Sequence, residues 1–147
     1  MSTAPPPVTL QPIGVVRSPF KSLGDCPRQG PEEPAASVIE IDPAWVEGLD
    51  GLRPGCDLWV ICRLRTEAEV LLKVHPRGDR GQPARGVLAT RSPNRPCPLS
   101  LTLVRVEAID KGRITVRGLE MIDGTPVLDI KPYVKGVDAP REGEGGP

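Results

Sequence analysis

The sequence predicts a mostly β fold, a small antiparallel β-barrel with one short helix. Three observations predict it. Glycine (16) and proline (19) make up nearly a quarter of the 147 residues, too many for long helices. Eight short runs have the spacing of strands, and Gly/Pro turns separate them. Only one segment carries a clear helix start. Short strands joined by tight turns close most readily into a barrel. A mostly-β sandwich is the alternative use of the same strands.

The elements follow in chain order. Residues 1–10 hold Pro5-Pro6-Pro7 and read as a mobile arm, and the barrel domain is expected over 11–136. Ile13-Gly14-Val15-Val16 is a short apolar strand. Ser37 to Ile41 alternates, with Ile39 and Ile41 on one face and Val38 and Glu40 on the other. Asp42 is a good N-cap and Pro43 suits the first helical position, so Ala44 to Leu49 reads as about two turns of helix. Gly48 and Gly51 stop it. Asp57 to Leu64 is apolar on both faces through Leu58-Trp59-Val60-Ile61-Cys62, as a central strand should be. Glu69 to Val74 and Gly86 to Thr90 are further strands. Leu99 to Ile109 is the longest. Its apolar set moves from Leu99, Leu101 and Leu103 to Val104, Val106 and Ala108, which predicts a bulge or a bend near Leu103. Arg113 to Arg117 alternates, and Pro126 to Ile130 closes the set. The acidic, Gly/Pro-rich tail over 137–147 is expected to be disordered.

Composition excludes several functions. Phe20, Trp45, Trp59 and Tyr133 are the only aromatics, too few for a protein that stacks many bases. No apolar window approaches 18 residues, so no membrane span is expected. Met1 to Pro7 has no apolar signal core, so a cytoplasmic location is expected. Cys26, Cys56, Cys62 and Cys97 lack C-x-x-C spacing, and His75 is the single histidine, so no structural metal is expected. No G-x-G-x-x-G, phosphate loop or G-x-S-x-G elbow occurs. The 19 basic and 19 acidic residues cancel. They are unevenly spread: Lys73, Arg77, Arg80, Arg85, Arg91 and Arg95 stand against Asp79 alone. A local cationic face fits an anionic partner such as phosphate, carboxylate or RNA. An Arg-rich solvated loop would look the same.

Three segments carry more than a linker needs. Pro27-Arg28-Gln29-Gly30 fixes a backbone path and presents several donors. Arg91-Ser92-Pro93-Asn94-Arg95-Pro96-Cys97-Pro98 holds two arginines on a proline-stiffened backbone. Leu119 to Tyr133 sets Asp123, Gly124, Thr125 and Pro126 beside Asp129, Lys131 and Tyr133, around an Asp-Gly turn signal. Carboxylates there suit ribose hydroxyls or an α-ammonium group. A plain hairpin remains the alternative.

These segments, with Ile13 to Phe20, Gly51-Leu52, Leu58-Trp59-Val60 and Gly86 to Pro96, resemble the TsaA-like family, also called the TrmO family of tRNA methyltransferases. The likeness runs over about residues 11–135. It implies a small β-barrel that uses S-adenosylmethionine, forms a homodimer and methylates N6 of threonylcarbamoyl-adenosine next to the anticodon of tRNA. It also implies cofactor contacts at Pro27, Arg28, Gln29, Gly30, Arg65, Thr66, Arg91, Leu101, Thr102 and Asp123 to Pro126. Arg95, Asp129 and Lys131 are then candidates for the substrate. Asp123 and Tyr133 are candidates to take the proton. Cys97 and Ser100 stand where the family usually has Asn and Gly, and Arg65-Thr66 where bacterial enzymes have His-Gln. A barrel that binds the cofactor without this substrate, or methylates another, is the alternative.

Overall fold

The computed structural model describes residues 3–22, 35–64 and 69–141. Six strands close a barrel: β1 (Gly14–Arg17), β2 (Ala36–Ile41), β3 (Asp57–Arg63), β6 (Leu99–Asp110), β7 (Arg113–Arg117) and β8 (Pro126–Pro132). Their order around it is β1-β2-β7-β6-β3-β8, with every pairing antiparallel. Two-residue strands β4 (Lys73–Val74) and β5 (Arg85–Gly86) pair apart from it. Two expected strands are thus shorter than the sequence suggests. Only Lys73–Val74 of the 69–74 run is paired, and Val87–Ala89 is a 3₁₀ turn. Val70, Leu71, Leu72 and Leu88 are exposed, so this segment lacks the packing that would extend its strands.

The alternation read from sequence becomes the core. Val16, Ile39, Leu58, Val60, Cys62, Ile114, Val116, Leu119 and Val127 are fully buried. Each large apolar side chain taken from water contributes about 1.5–3 kcal/mol. Strand β3 is apolar on both faces, as expected, but Trp59 and Ile61 face outward and are half-buried.

Strand β6 differs from expectation. Its register against β3 runs unbroken from Leu99 to Arg105. The irregularity lies between Val106 and Ala108, against β7. Leu101 and Leu103 therefore point out of the barrel, 48% and 42% exposed, while Val104 and Val106 point in. No bulge at Leu103 is needed, because neighbouring odd and even positions already face opposite sides. The bulge at Glu107 lets Ile109 return to the core, and Arg117 Nε reaches Glu107 Oε1 at 2.6 Å.

The expected helix is a 3₁₀ segment, Pro43–Leu49. Asp42 caps it, accepting from the Ala44 N–H at 2.9 Å. The Asp42 N–H donates to Ile13 O at 2.8 Å, just before β1, whose seam with β8 is two residue pairs long. There β8 protects its own edge. Asp129 Oδ1 accepts the Ile130 N–H at 2.9 Å, and Pro132 has no N–H to offer. At the C-terminus a single helical turn, α1 (Lys135–Asp138), crosses the expected domain boundary at residue 136. Asp138 Oδ2 ties it down by accepting from Trp59 Nε1 at 3.1 Å and from the Val134 N–H at 2.7 Å.

Candidate functional site

Antiparallel pairing decides which loops meet. The ends of β1, β3 and β7 and the starts of β2, β6 and β8 all lie at one rim of the barrel. The proline-rich segment 90–98 is joined to that rim where the Leu64 N–H donates to Pro98 O at 2.7 Å. The Asp-Gly-Thr-Pro turn belongs to the same rim. Asp123 and Gly124 donate their N–H groups to Phe20 O and Val16 O, both at 2.7 Å.

Asp123 is the electrostatic centre of the turn. Its Oδ1 accepts the Ser18 N–H at 3.0 Å, and its Oδ2 pairs with Lys21 Nζ at 3.2 Å. The Ser18 bond first, then Lys21, holds its carboxyl below the usual aspartate value. A lowered carboxylate is a weak proton acceptor and a good partner for a cation or hydroxyl. Gly124 sits at φ +89°, which the turn needs and an L side chain resists. Thr125 Oγ1 donates to Ile122 O at 2.6 Å and fixes the loop from within.

A hollow of about 210 Å³ opens here, lined by Arg63 and Ile122 to Pro126. Arg63 was not among the sequence candidates. It ends β3 on the outer face, paired with Leu99, with Leu101 two residues further along β6. The site signal it lacked is a motif. It reads as one more alternating polar position, and only the closure of β3 against β8 brings it to the turn.

The structure groups the other candidates as follows. Asp123, Gly124, Thr125 and Pro126 line the hollow at the rim, and Leu101 is exposed on the outer face of β6, opposite Ile61. Thr102 is half-buried and points the opposite way from Leu101 on the same strand. Arg91 is exposed on the proline-rich loop. Arg95 turns back into that loop, donating through one nitrogen to Thr90 O at 2.7 Å and Ser92 O at 3.3 Å. It helps fix the loop that carries Arg91. Pro27, Arg28, Gln29, Gly30, Arg65 and Thr66 lie outside the described residues.

Three candidates stand elsewhere. Asp129 and Lys131 pair with each other at 3.0 Å and line a second groove of about 630 Å³, with Trp45, Leu49, Leu52 and Ile130. Tyr133 packs on Trp59 with ring centroids 6.1 Å apart and donates its N–H to Asp57 O at 3.0 Å. The length of β8 separates it from Asp123 by roughly 20 Å. Within one chain, Asp123 and Tyr133 do not meet.

The departures at 97 and 100 also acquire places. Ser100 Oγ accepts the Cys62 N–H at 3.2 Å between the strands, so its hydroxyl is spent within the barrel wall. Cys97 is exposed on the loop. Among the described residues no group of three or more His, Cys, Asp or Glu could hold a metal. Nor is any helix there long and apolar enough to cross a membrane.

A family model described as the tRNA-methyltransferase O N-terminal domain matches residues 15–139. A "Probable S-adenosyl-L-methionine-binding protein" of Methanothermobacter thermautotrophicus is 43% identical over 133 residues, 90% of this chain and 94% of that one. An S-adenosyl-L-methionine-binding protein of Archaeoglobus fulgidus is 39% identical over 136 residues, 92% of this chain and 96% of its own. A crystal structure of TrmO superposes with a TM-score of 0.77 at 36% identity. That match covers 95% of this chain but 64% of the other, so the chain spans about two thirds of that protein. The barrel, its rim and these similarities together make the chain a member of the tRNA-methyltransferase O N-terminal-domain family.

Proposed function

We propose that this chain is an S-adenosylmethionine-dependent methyltransferase whose acceptor is N6 of threonylcarbamoyl-adenosine in tRNA, acting as a homodimer in the cytoplasm. The observation that carries the reading is the hollow that Arg63 shares with the Asp123–Pro126 turn at one barrel rim, to which the loop carrying Arg91 is joined through Pro98. Cofactor binding is supported by relatives that are S-adenosyl-L-methionine-binding proteins over nearly their whole length.

The residues fit such a cofactor. Asp123 offers a carboxylate to ribose hydroxyls or an ammonium group, the Gly124 turn presents backbone without a side chain, and Ile122 and Pro126 add apolar surface. When bound, S-adenosylmethionine supplies a methyl group on a sulfonium whose leaving thioether is neutral. The protein's work is therefore mostly alignment. The turn is held by four bonds to the Val16–Phe20 segment, which limits its drift. Asp123 keeps its charge across the neutral range and favours nearby positive charge. Its low basicity supports a binding role over proton removal.

Two features support the RNA and dimer parts. The cationic run Lys73 to Arg95 leads into the same loop. On the outer face, Leu101 and Leu103 of β6 are exposed beside the half-buried Ile61 of β3 and form an apolar patch. A two-fold partner would bury it. The test is transfer of labelled methyl from S-adenosylmethionine to total tRNA from the source organism, followed by nucleoside analysis. Label on N6-methyl-threonylcarbamoyl-adenosine supports the reading. Cofactor binding at micromolar affinity with unlabelled tRNA overturns the tRNA part and favours the binding-module alternative.

A further inference from the structure

We propose that Arg63 recognises the α-carboxylate of the amino-acid moiety of the cofactor, an inference that rests on the cofactor reading above. The hollow beside it holds about 210 Å³, below the 300–1,000 Å³ of pockets that enclose a whole small ligand. It therefore takes a moiety of amino-acid size, while the remainder lies along the rim. An α-amino acid is a zwitterion and needs both charges answered. The hollow supplies both, a carboxylate from Asp123 and a guanidinium from Arg63.

The two are not paired with each other. Asp123 is engaged by Ser18 and Lys21, and among the described residues Arg63 has no carboxylate partner. An exposed guanidinium beside a hollow, without an internal partner, is available for a bidentate carboxylate. Its base is rigid. Arg63 ends a seven-residue strand paired on both sides, and Cys62 behind it is fully buried. The ligand therefore meets a donor whose backbone is already fixed.

The test is calorimetry on the full chain, comparing wild type with Arg63→Gln and Arg63→Lys. Two ligands are used: S-adenosylmethionine and 5′-methylthioadenosine, which lacks the amino acid. Loss of a charged hydrogen bond predicts that Arg63→Gln weakens S-adenosylmethionine by about tenfold to hundredfold. Affinity for 5′-methylthioadenosine stays unchanged, and Arg63→Lys falls between. Equal affinity of wild type and Arg63→Gln for S-adenosylmethionine overturns the inference. So does equal weakening of both ligands, because that marks a general disturbance of the rim. If wild type binds neither ligand, the cofactor reading itself fails and this inference falls with it.

Discussion

The backbone N–H of Ser18 donates to Asp123 Oδ1 at 3.0 Å, joining positions 105 residues apart in the chain. This bond closes the rim between β1 and β8 just above their two-pair seam. It is also the largest cause of the low Asp123 pKa. One contact thus serves both the barrel's closure and the charge of the site.

The first prediction concerns that charge. The folded pKa of Asp123 lies below its unfolded value of about 3.9. Its ionised form therefore stabilises the fold above that pH, and the contribution fades as pH falls through the folded value. Asp123→Asn should melt below wild type at neutral pH, and the two melting curves should converge below about pH 4. In Lys21→Ala the carboxyl should titrate only part of the way back, because the Ser18 bond remains. Carbon-detected NMR titration checks this, and full reversion in Lys21→Ala would rule it out.

Gly14 offers a test of close approach. A Cβ built there meets Glu40 O at 2.3 Å, in the backbone of the neighbouring strand. Gly14→Ala must push β1 off β2, at a cost of about 1–3 kcal/mol. Denaturant unfolding measures it. A neutral result would mean that the seam yields freely.

Leu119 is fully buried in the core and precedes the site turn. Its truncation to Ala should cost about 2–5 kcal/mol. Its carbonyl also accepts from the buried Ser37 hydroxyl at 3.1 Å, so the variant reports on how firmly this segment is held. A loss below about 1 kcal/mol in urea titration would contradict the packing.

The cysteines should react unequally. Burial pushes the Cys62 thiol up to about 11, so it stays protonated and shielded near neutral pH, whereas Cys97 is exposed. Iodoacetamide on the native protein should label Cys97 quickly and Cys62 only after unfolding. Peptide mass spectrometry reads both sites, and early labelling of Cys62 would count against its place in the core.

The Asp138 latch is the last prediction. Asp138→Ala removes the acceptor for Trp59 Nε1 and for the Val134 N–H, and should release α1 from the outer face of β3. The cost should be about 1 kcal/mol, as for a partly exposed hydrogen bond. Trp59 fluorescence should shift to the red as its ring gains water. An unchanged emission spectrum would show that Tyr133 alone holds the ring.

Much of the fold was legible in order and type. Alternation put Ile39 and Ile41 on one face, which the barrel buries, Asp42 and Pro43 marked the start of a helical segment, and Asp123-Gly124 marked a turn. The short range of these signals explains the success, since strand period and capping need only neighbours in sequence. The bulge was foreseen in β6 but not at Glu107. Its position depends on β7, whose register no local pattern reveals.

The sequence by itself determined a strand-rich barrel and the motif segments that identify its family. Only the tertiary structure decided which of those segments form one site. Asp123 and Tyr133 are ten residues apart in the chain, yet β8 carries them to opposite ends of the barrel. Arg63 and Asp123 are sixty residues apart, yet they share a hollow. The reason is geometric. A strand advances about 3.3 Å per residue and separates near neighbours, while antiparallel closure returns distant ones to the same rim.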